Sequence, residues 1–135
     1  MEAHAQEQPP IRILVADDNA AFRRCLRGML EQHDNWRVCE EASNGKEAVD
    51  RVRKIRPDFI VLDFQMPEMN GLDAARVISR LSPKTPILMV TLYLSHELAE
   101  EARKIGVRGA CAKTNMDSLM DAVGALLRQE TYFPN

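Results

Sequence analysis

Phe59-Ile60-Val61-Leu62 is a continuous apolar run that stops at one carboxylate, Asp63, and a loop punctuated by Pro67 and Gly71 follows at once. A short apolar run bounded by turn signals predicts a strand buried on both faces, and such strands belong to parallel sheets covered by helices on each side. An ionisable residue that ends a strand of this kind is held rigidly yet stands at the rim of the sheet. In open parallel sheets the rim at the carboxyl ends of the strands is where ligands bind. Whatever else the chain does, it has to fold around that strand and present that carboxylate.

The rest of the sequence supplies the partners. Ile11 to Ala16 is apolar and β-branched and runs straight into Asp17-Asp18-Asn19. Phe22, Cys25, Leu26, Met29 and Leu30 then fall on one helical stripe, with Asp18 or Asn19 as its N-cap. Trp36 to Ala42 reads as a second strand whose mixed polarity suits a sheet edge. After the turn and cap residues Ser43 to Glu47, a second stripe runs through Ala48, Val49, Val52 and Ile55, and Pro57 ends it. Beyond Gly71, Leu72, Ala75, Ile78 and Leu81 mark a third helix, and the breakers Ser82 to Pro86 close it. Ile87 to Val90 is a further wholly apolar strand, ending at Thr91. Leu94, Leu98, Ala102 and Ile105 predict a fourth helix capped by Ser95 and stopped by Gly106. Gly109 to Ala112 is a short strand ending at Lys113. Leu119, Met120, Val123, Leu126 and Leu127 mark the last helix, after which Gln129 to Asn135 trails off. Five βα units in strict alternation predict a doubly wound α/β domain with right-handed crossovers.

Bulk properties agree and exclude several classes. At 135 residues, 45% apolar and 28% charged, the chain is one ordinary globular domain. A net charge of -2 provides no basic field for nucleic acid, and no apolar run approaches the roughly 20 residues of a membrane span. Met1 to Pro10 is polar, contains two prolines and lacks the apolar core of a secretory signal, so it reads as a disordered leader and the expected compartment is the cytoplasm. The three cysteines, Cys25, Cys39 and Cys111, lie far apart without metal-ligand spacing and read as small buried hydrophobes in a reducing environment.

In the predicted sheet, residues that end strands share one edge. Asp17 and Asp18 end the first strand, Asp63 the third, Thr91 the fourth and Lys113 the fifth. Three carboxylates held close together raise one another's pKa unless a cation neutralises them. An oxygen-only ligand set selects a hard divalent ion such as Mg²⁺, which keeps positions for water and phosphate oxygens. Lys113 and Thr91 supply an ammonium and a hydroxyl for those phosphate oxygens, and Asp63, alone at the centre, is the candidate nucleophile. Taken singly, each residue has a structural explanation: Asp18 as a cap, Asp63 as a loop anchor, Thr91 as a common strand residue, Lys113 as a solvated charge. Their coincidence at the ends of four strands argues for a site.

Ile13-Leu14-Val15-Ala16-Asp17-Asp18, Leu62-Asp63-Phe64-Gln65-Met66-Pro67-Glu68-Met69-Asn70-Gly71, Val90-Thr91 and Ala112-Lys113 together resemble the receiver domains of two-component response regulators, from Ile11 to about Gln129. The resemblance implies a flavodoxin-like five-stranded parallel sheet of order 2-1-3-4-5 with five helices. It implies that Asp63 accepts a phosphoryl group from a sensor histidine kinase, that Asp18, Asp63 and the main-chain carbonyl of Gln65 hold Mg²⁺ with Asp17 acting through water, and that Thr91 and Lys113 grip the phosphoryl oxygens. Phosphorylation would then repack the face made by helix 4, strand 5 and helix 5, a surface for output or homodimerisation. Such a domain catalyses only its own phosphoryl transfer and loss, and is not otherwise an enzyme. Glu130 to Asn135 resembles the close of receivers that precede a helix-turn-helix output domain, so it reads as a tail or the start of a linker; direct nucleic-acid binding by this chain is not expected, and a DNA-binding domain would follow only in a longer protein.

Two positions depart from the family pattern. Thr114 replaces the proline that usually follows the lysine, where a cis bond would cost about 3 kcal/mol, and Ala110 replaces the usual switch aromatic. Tyr93, two residues past Thr91, is placed with Gln65 to govern water access. Three other readings compete. A phosphatase of the haloacid dehalogenase type has a second acid where this chain has Gln65. A flavodoxin-like cofactor binder would have its phosphate repelled by Asp17 and Asp18. A phosphorylation-independent pseudo-receiver would suit Ala110 and Thr114 but not a complete acidic site.

Overall fold

The computed structural model describes residues 9–133, so most of the expected leader and the last two residues lie outside the described part. Five strands, β1 (Ile11–Ala16), β2 (Trp36–Ala42), β3 (Phe59–Asp63), β4 (Ile87–Thr91) and β5 (Gly109–Ala112), alternate with five helices. The helices are α1 (Ala20–Leu30), α2 (Gly45–Ile55), α3 (Gly71–Leu81), α4 (His96–Lys104) and α5 (Met116–Leu127). All strand pairs are parallel and the order is β2-β1-β3-β4-β5, as the resemblance implied.

Alternation along the central strands divides the molecule into two layers. Ile13, Val15, Phe59 and Val61 face one core, with Leu26 and Leu30 of α1 and Leu119, Val123 and Leu126 of α5. Leu14, Ala16, Ile60 and Leu62 face the other, with Val49 and Val52 of α2, Ala75 and Ile78 of α3, and Leu98 and Ala102 of α4. Strands apolar at every position are needed because both faces are covered. The mixed polarity of β2 has two causes. It is an edge strand, and Cys39 is an extra residue in its pairing with β1, so Val38 faces one core and Ala42 the other.

Each helix begins with a side-chain cap. Asn19, Asn44, Asn70, Ser95 and Asn115 each accept an N–H bond from the residue three positions on. Asn19 rather than Asp18 caps α1, which leaves the Asp18 carboxylate free. Three expectations need correction. Cys25, on the predicted apolar stripe of α1, is exposed, and Cys39 is only half-buried, so of the three thiols Cys111 alone is a core residue. Leu81, the last residue of α3, is 38% exposed and closes the helix without joining either core. The chain after α5 does not trail off: Tyr132 forms a parallel bridge with Gly109 at the outer edge of β5.

The loop between Asp63 and α3 turns back so tightly that the Gly71 N–H donates to the Phe64 carbonyl at 2.7 Å. A Cβ on Gly71 would lie 2.2 Å from the Asp63 carbonyl oxygen and 2.8 Å from the Phe64 Cα, so only glycine fits without moving Asp63. Gly71→Ala is therefore expected to destabilise the fold by about 1–3 kcal/mol in urea unfolding. Gly28→Ala, where an added Cβ meets nothing within 4 Å on helix α1, is expected to stabilise by roughly 0.5–1 kcal/mol. A Gly71→Ala variant as stable as the parent would refute this account of the loop.

Candidate functional site

β1 and β3 are neighbours in register, Ala16 opposite Leu62, so the residues that follow them reach the rim together. Asp17 continues the alternation of Ile13 and Val15, Asp63 that of Phe59 and Val61, and Lys113 that of Cys111, all on the α1/α5 side. The Lys113 Nζ lies 2.6 Å from Asp17 Oδ2 and 3.2 Å from Asp63 Oδ2. It also sits 4.7 Å from the centroid of the Phe22 ring on α1. Carboxylate oxygens of Asp17, Asp18 and Asp63 lie within 4.8 Å of one another. Asp17 and Asp63 are buried, whereas Asp18 is exposed.

Main-chain bonds fix these groups. Asp17 Oδ1 accepts the Asn19 N–H at 2.8 Å, and Asp63 Oδ1 accepts the Gln65 N–H at 3.3 Å. The Lys113 N–H donates to the Thr91 carbonyl at 2.8 Å, so β4 sets the height of the lysine even though Thr114 follows it. No cis peptide occurs among the described residues. Behind the site, Glu41 of β2 accepts from Arg23 at 2.8 Å and Arg27 at 2.7 Å, and Arg23 also donates to the Asp17 carbonyl. That cluster ties α1 to the end of β1.

Burial pushes the Asp63 carboxyl up to about 6, and the neighbouring Asp17 charge adds to the rise, against the opposing pull of Lys113 and the Gln65 N–H. Burial alone would depress the Lys113 ammonium. The hydrogen bond and charge of Asp17, followed by those of Asp63, outweigh it and hold the lysine above its ordinary value. Burial likewise opposes ionisation of Glu41, yet its two arginines hold it below the usual carboxylate range. Burial raises the Cys39 thiol and pushes Cys111 up to about 12, which disfavours a thiolate at these two positions.

A cavity of about 410 Å³ opens beside the carboxylates, lined by Asp18, Asp63, Gln65 and Lys113 together with Phe22 and Leu92. Thr91 is buried at the end of β4 and does not line it. Tyr93 is 88% exposed and also stands off the wall; its neighbour Leu92 takes the place expected of it. Phe22 was legible only as a core residue of α1, and nothing in its stripe pattern announced a contact with Lys113. A roomier cavity of about 730 Å³, around His33, Trp36 and Tyr132, contains none of these residues. Converging charge, not volume, locates the site.

Comparison with known proteins agrees with this geometry. Residues 13–124 match the family described as the response regulator receiver domain. The chain is 49% identical over 91 residues to a protein-glutamate methylesterase/protein-glutamine glutaminase of Alkalilimnicola ehrlichii, a match covering 67% of this chain but 23% of that protein. It is 33% identical over 102 residues to the chemotaxis protein CheY of Thermotoga maritima, covering 76% of this chain and 84% of that one. A LuxR-family two-component response regulator from Aurantimonas sp. SI85-9A1 superposes with a TM-score of 0.87 at 27% identity, covering 91% of this chain and 89% of that structure. The chain thus spans about a quarter of the length of the matched methylesterase and most of the length of the matched chemotaxis protein CheY. On the match across residues 13–124 and the shared fold, the chain belongs to the response regulator receiver domain family.

Proposed function

We propose that this chain is a phosphorylation-activated signalling receiver that takes a phosphoryl group from a histidine kinase onto Asp63. The observation that carries the reading is the meeting of three carboxylates with one half-buried ammonium at the rim of the sheet. An Asp63 carboxylate oxygen attacks the phosphorus of a phosphohistidine. A P–O bond forms as the P–N bond breaks, and the imidazole leaves with the electron pair. The product is an acyl phosphate. Lys113, already 3.2 Å from that carboxylate, neutralises charge on the phosphoryl oxygens, and Thr91 offers its hydroxyl from the next strand. The Gln65 N–H holds the carboxylate in place during attack.

The donor set suits Mg²⁺. It contains only oxygen, and two of its carboxylates are buried side by side with one raised in pKa, which is the condition a hard divalent cation relieves. Asp17, Asp18, Asp63 and the carbonyl of Gln65 would hold it. When bound, Mg²⁺ supplies charge neutralisation for the carboxylates and the phosphoryl oxygens. Partners follow from the same reading: a sensor histidine kinase as donor, and the face of α4, β5 and α5 for output or pairing with a second copy. The receiver proper is read as 11–129, with Tyr132 and Phe133 seated on it, and its expected compartment is the cytoplasm. No helix among the described residues is long and apolar enough to cross a membrane.

Intact mass after incubation with acetyl phosphate is the direct test. One phosphoryl group is expected, dependent on Mg²⁺ and lost in Asp63→Asn. No gain in a folded protein would favour the pseudo-receiver, and sustained turnover of small phosphate esters would favour the phosphatase.

The raised Asp63 carboxyl gives a second test, through stability. Its folded value, about 6, lies above the ordinary carboxyl value of 3.8, so the native state binds the proton more tightly than the unfolded chain. Stability from this group is complete below about pH 4 and is lost as pH rises through about 6, amounting to roughly 3 kcal/mol. In EDTA, the stability of Asp63→Asn relative to the parent is expected to grow by about that amount between pH 4 and pH 7, and Mg²⁺ is expected to narrow the gap by binding the parent. A difference independent of pH in thermal unfolding would contradict the assigned shift.

A further inference from the structure

The segment after α5 is built onto the strand that carries Lys113. Gln129, at φ +69, reverses the chain, and the Glu130 N–H returns to the Ala125 carbonyl at 3.0 Å. Tyr132 then lies along β5 as a partial sixth strand. Its N–H donates to the Arg108 carbonyl at 3.0 Å, and its carbonyl accepts the Ala110 N–H at 2.9 Å. A Cβ on Gly109 would meet the Tyr132 carbonyl at 3.0 Å and Leu126 Cδ1 at 2.9 Å, so glycine at the start of β5 is what lets the segment approach.

Side chains extend the attachment to both flanking helices. The Tyr132 hydroxyl and Ser118 Oγ, in the first turn of α5, are 2.8 Å apart. The Arg103 guanidinium, in the last turn of α4, lies 4.2 Å over the Phe133 ring. Tyr132 packs against the core on the α1/α5 side, Phe133 against the core on the opposite side, where Ala110 also points. Two consecutive residues, Tyr132 and Phe133, therefore register α4, β5 and α5 against one another. Both aromatic rings are only half-buried, so the seat is shallow.

We propose that Thr131–Phe133 is a strap that holds α4, β5 and α5 in the arrangement in which Lys113 pairs with Asp17 and Asp63, and that phosphorylation of Asp63 unseats it. The proposal rests on the reading of Asp63 as phosphoacceptor and goes beyond it by assigning the tail a part in the response. New phosphoryl oxygens on Asp63 compete with Asp17 for the ammonium and draw Lys113 to a new position. β5 is four residues long, and Ala110, which donates one of the strap's two main-chain hydrogen bonds, is three residues from Lys113, about 10 Å along a strand. A short strand cannot absorb that movement internally. Displacing it relative to α4 and α5 strains at least one of the strap's anchors. Coupling is reciprocal, so loosening the strap favours the phosphoryl-bound arrangement.

Hydrogen exchange of the Ala110 and Tyr132 amides, with and without saturating beryllofluoride and Mg²⁺, tests this on the unaltered protein. Exchange at both amides is expected to rise about fivefold or more, while amides of β1 stay protected. Tyr132→Phe removes only the hydroxyl, and Phe133→Ala removes the ring under Arg103; each is expected to bind beryllofluoride several-fold more tightly than the parent. Unchanged exchange at a saturated site, or an affinity equal to the parent's in both variants, overturns the strap. If beryllofluoride fails to bind and acetyl phosphate adds no mass at Asp63, the receiver reading falls and the strap falls with it.

Discussion

One ammonium balances two buried carboxylates, and much of the surrounding architecture serves that arrangement. Lys113 reaches Asp17 and Asp63 because three different strands end at the same height with the same alternation. A buried pair of like charges is costly, and removing one partner of such a group leaves an uncompensated charge, at a cost of about 3–5 kcal/mol. The raised Asp63 carboxyl is what remains of that cost after the lysine has acted. The fold thus maintains a site that is under-neutralised by about one positive charge, a condition suited to a divalent cation and a phosphoryl group.

The strand-to-helix turns at this rim contribute in a second way. Asn19, Asn44, Asn70, Ser95 and Asn115 end the non-helical approach to each helix, and each satisfies an otherwise orphaned N–H. In the first of these turns the consequence is chemical. Because Asn19 takes the capping role, Asp17 is left to bond the Asn19 N–H and Lys113, and Asp18 turns its carboxylate to the exposed side of the cluster. Three neighbouring polar residues have three distinct jobs.

This division shows how far the sequence could be read. Strand runs ending in Asp63, Thr91 and Lys113 are legible because burial on both faces demands uninterrupted apolar residues, and the site follows from where those runs stop. The choice between Asp18 and Asn19 as cap was open, since both side chains suit that position. Cys25 lay on the helical stripe yet is exposed, because a period alone does not say how wide the covered face of α1 is. The bulge at Cys39 was invisible for a related reason: an edge strand tolerates polar residues on either face, so the change of alternation left no mark. Strand order came from resemblance, as periodicity is silent on which strands are neighbours.

The tail was missed for a deeper reason. Thr131-Tyr132-Phe133 is too short to show any period, and its structure comes from what it lies against: the open edge of β5, a glycine at Gly109, and a serine and an arginine on separate helices. An exposed strand edge carries unpaired main-chain groups that invite a partner. Here the chain supplies that partner itself, on the strand that positions Lys113. Arg108 and Ala110 make their bonds to Tyr132 on one side of β5, while Ala112 pairs with Thr91 on the other. β5 is therefore held from both edges, by an element of the candidate site and by the segment that follows α5, and a force applied at either edge is transmitted through four residues to the other.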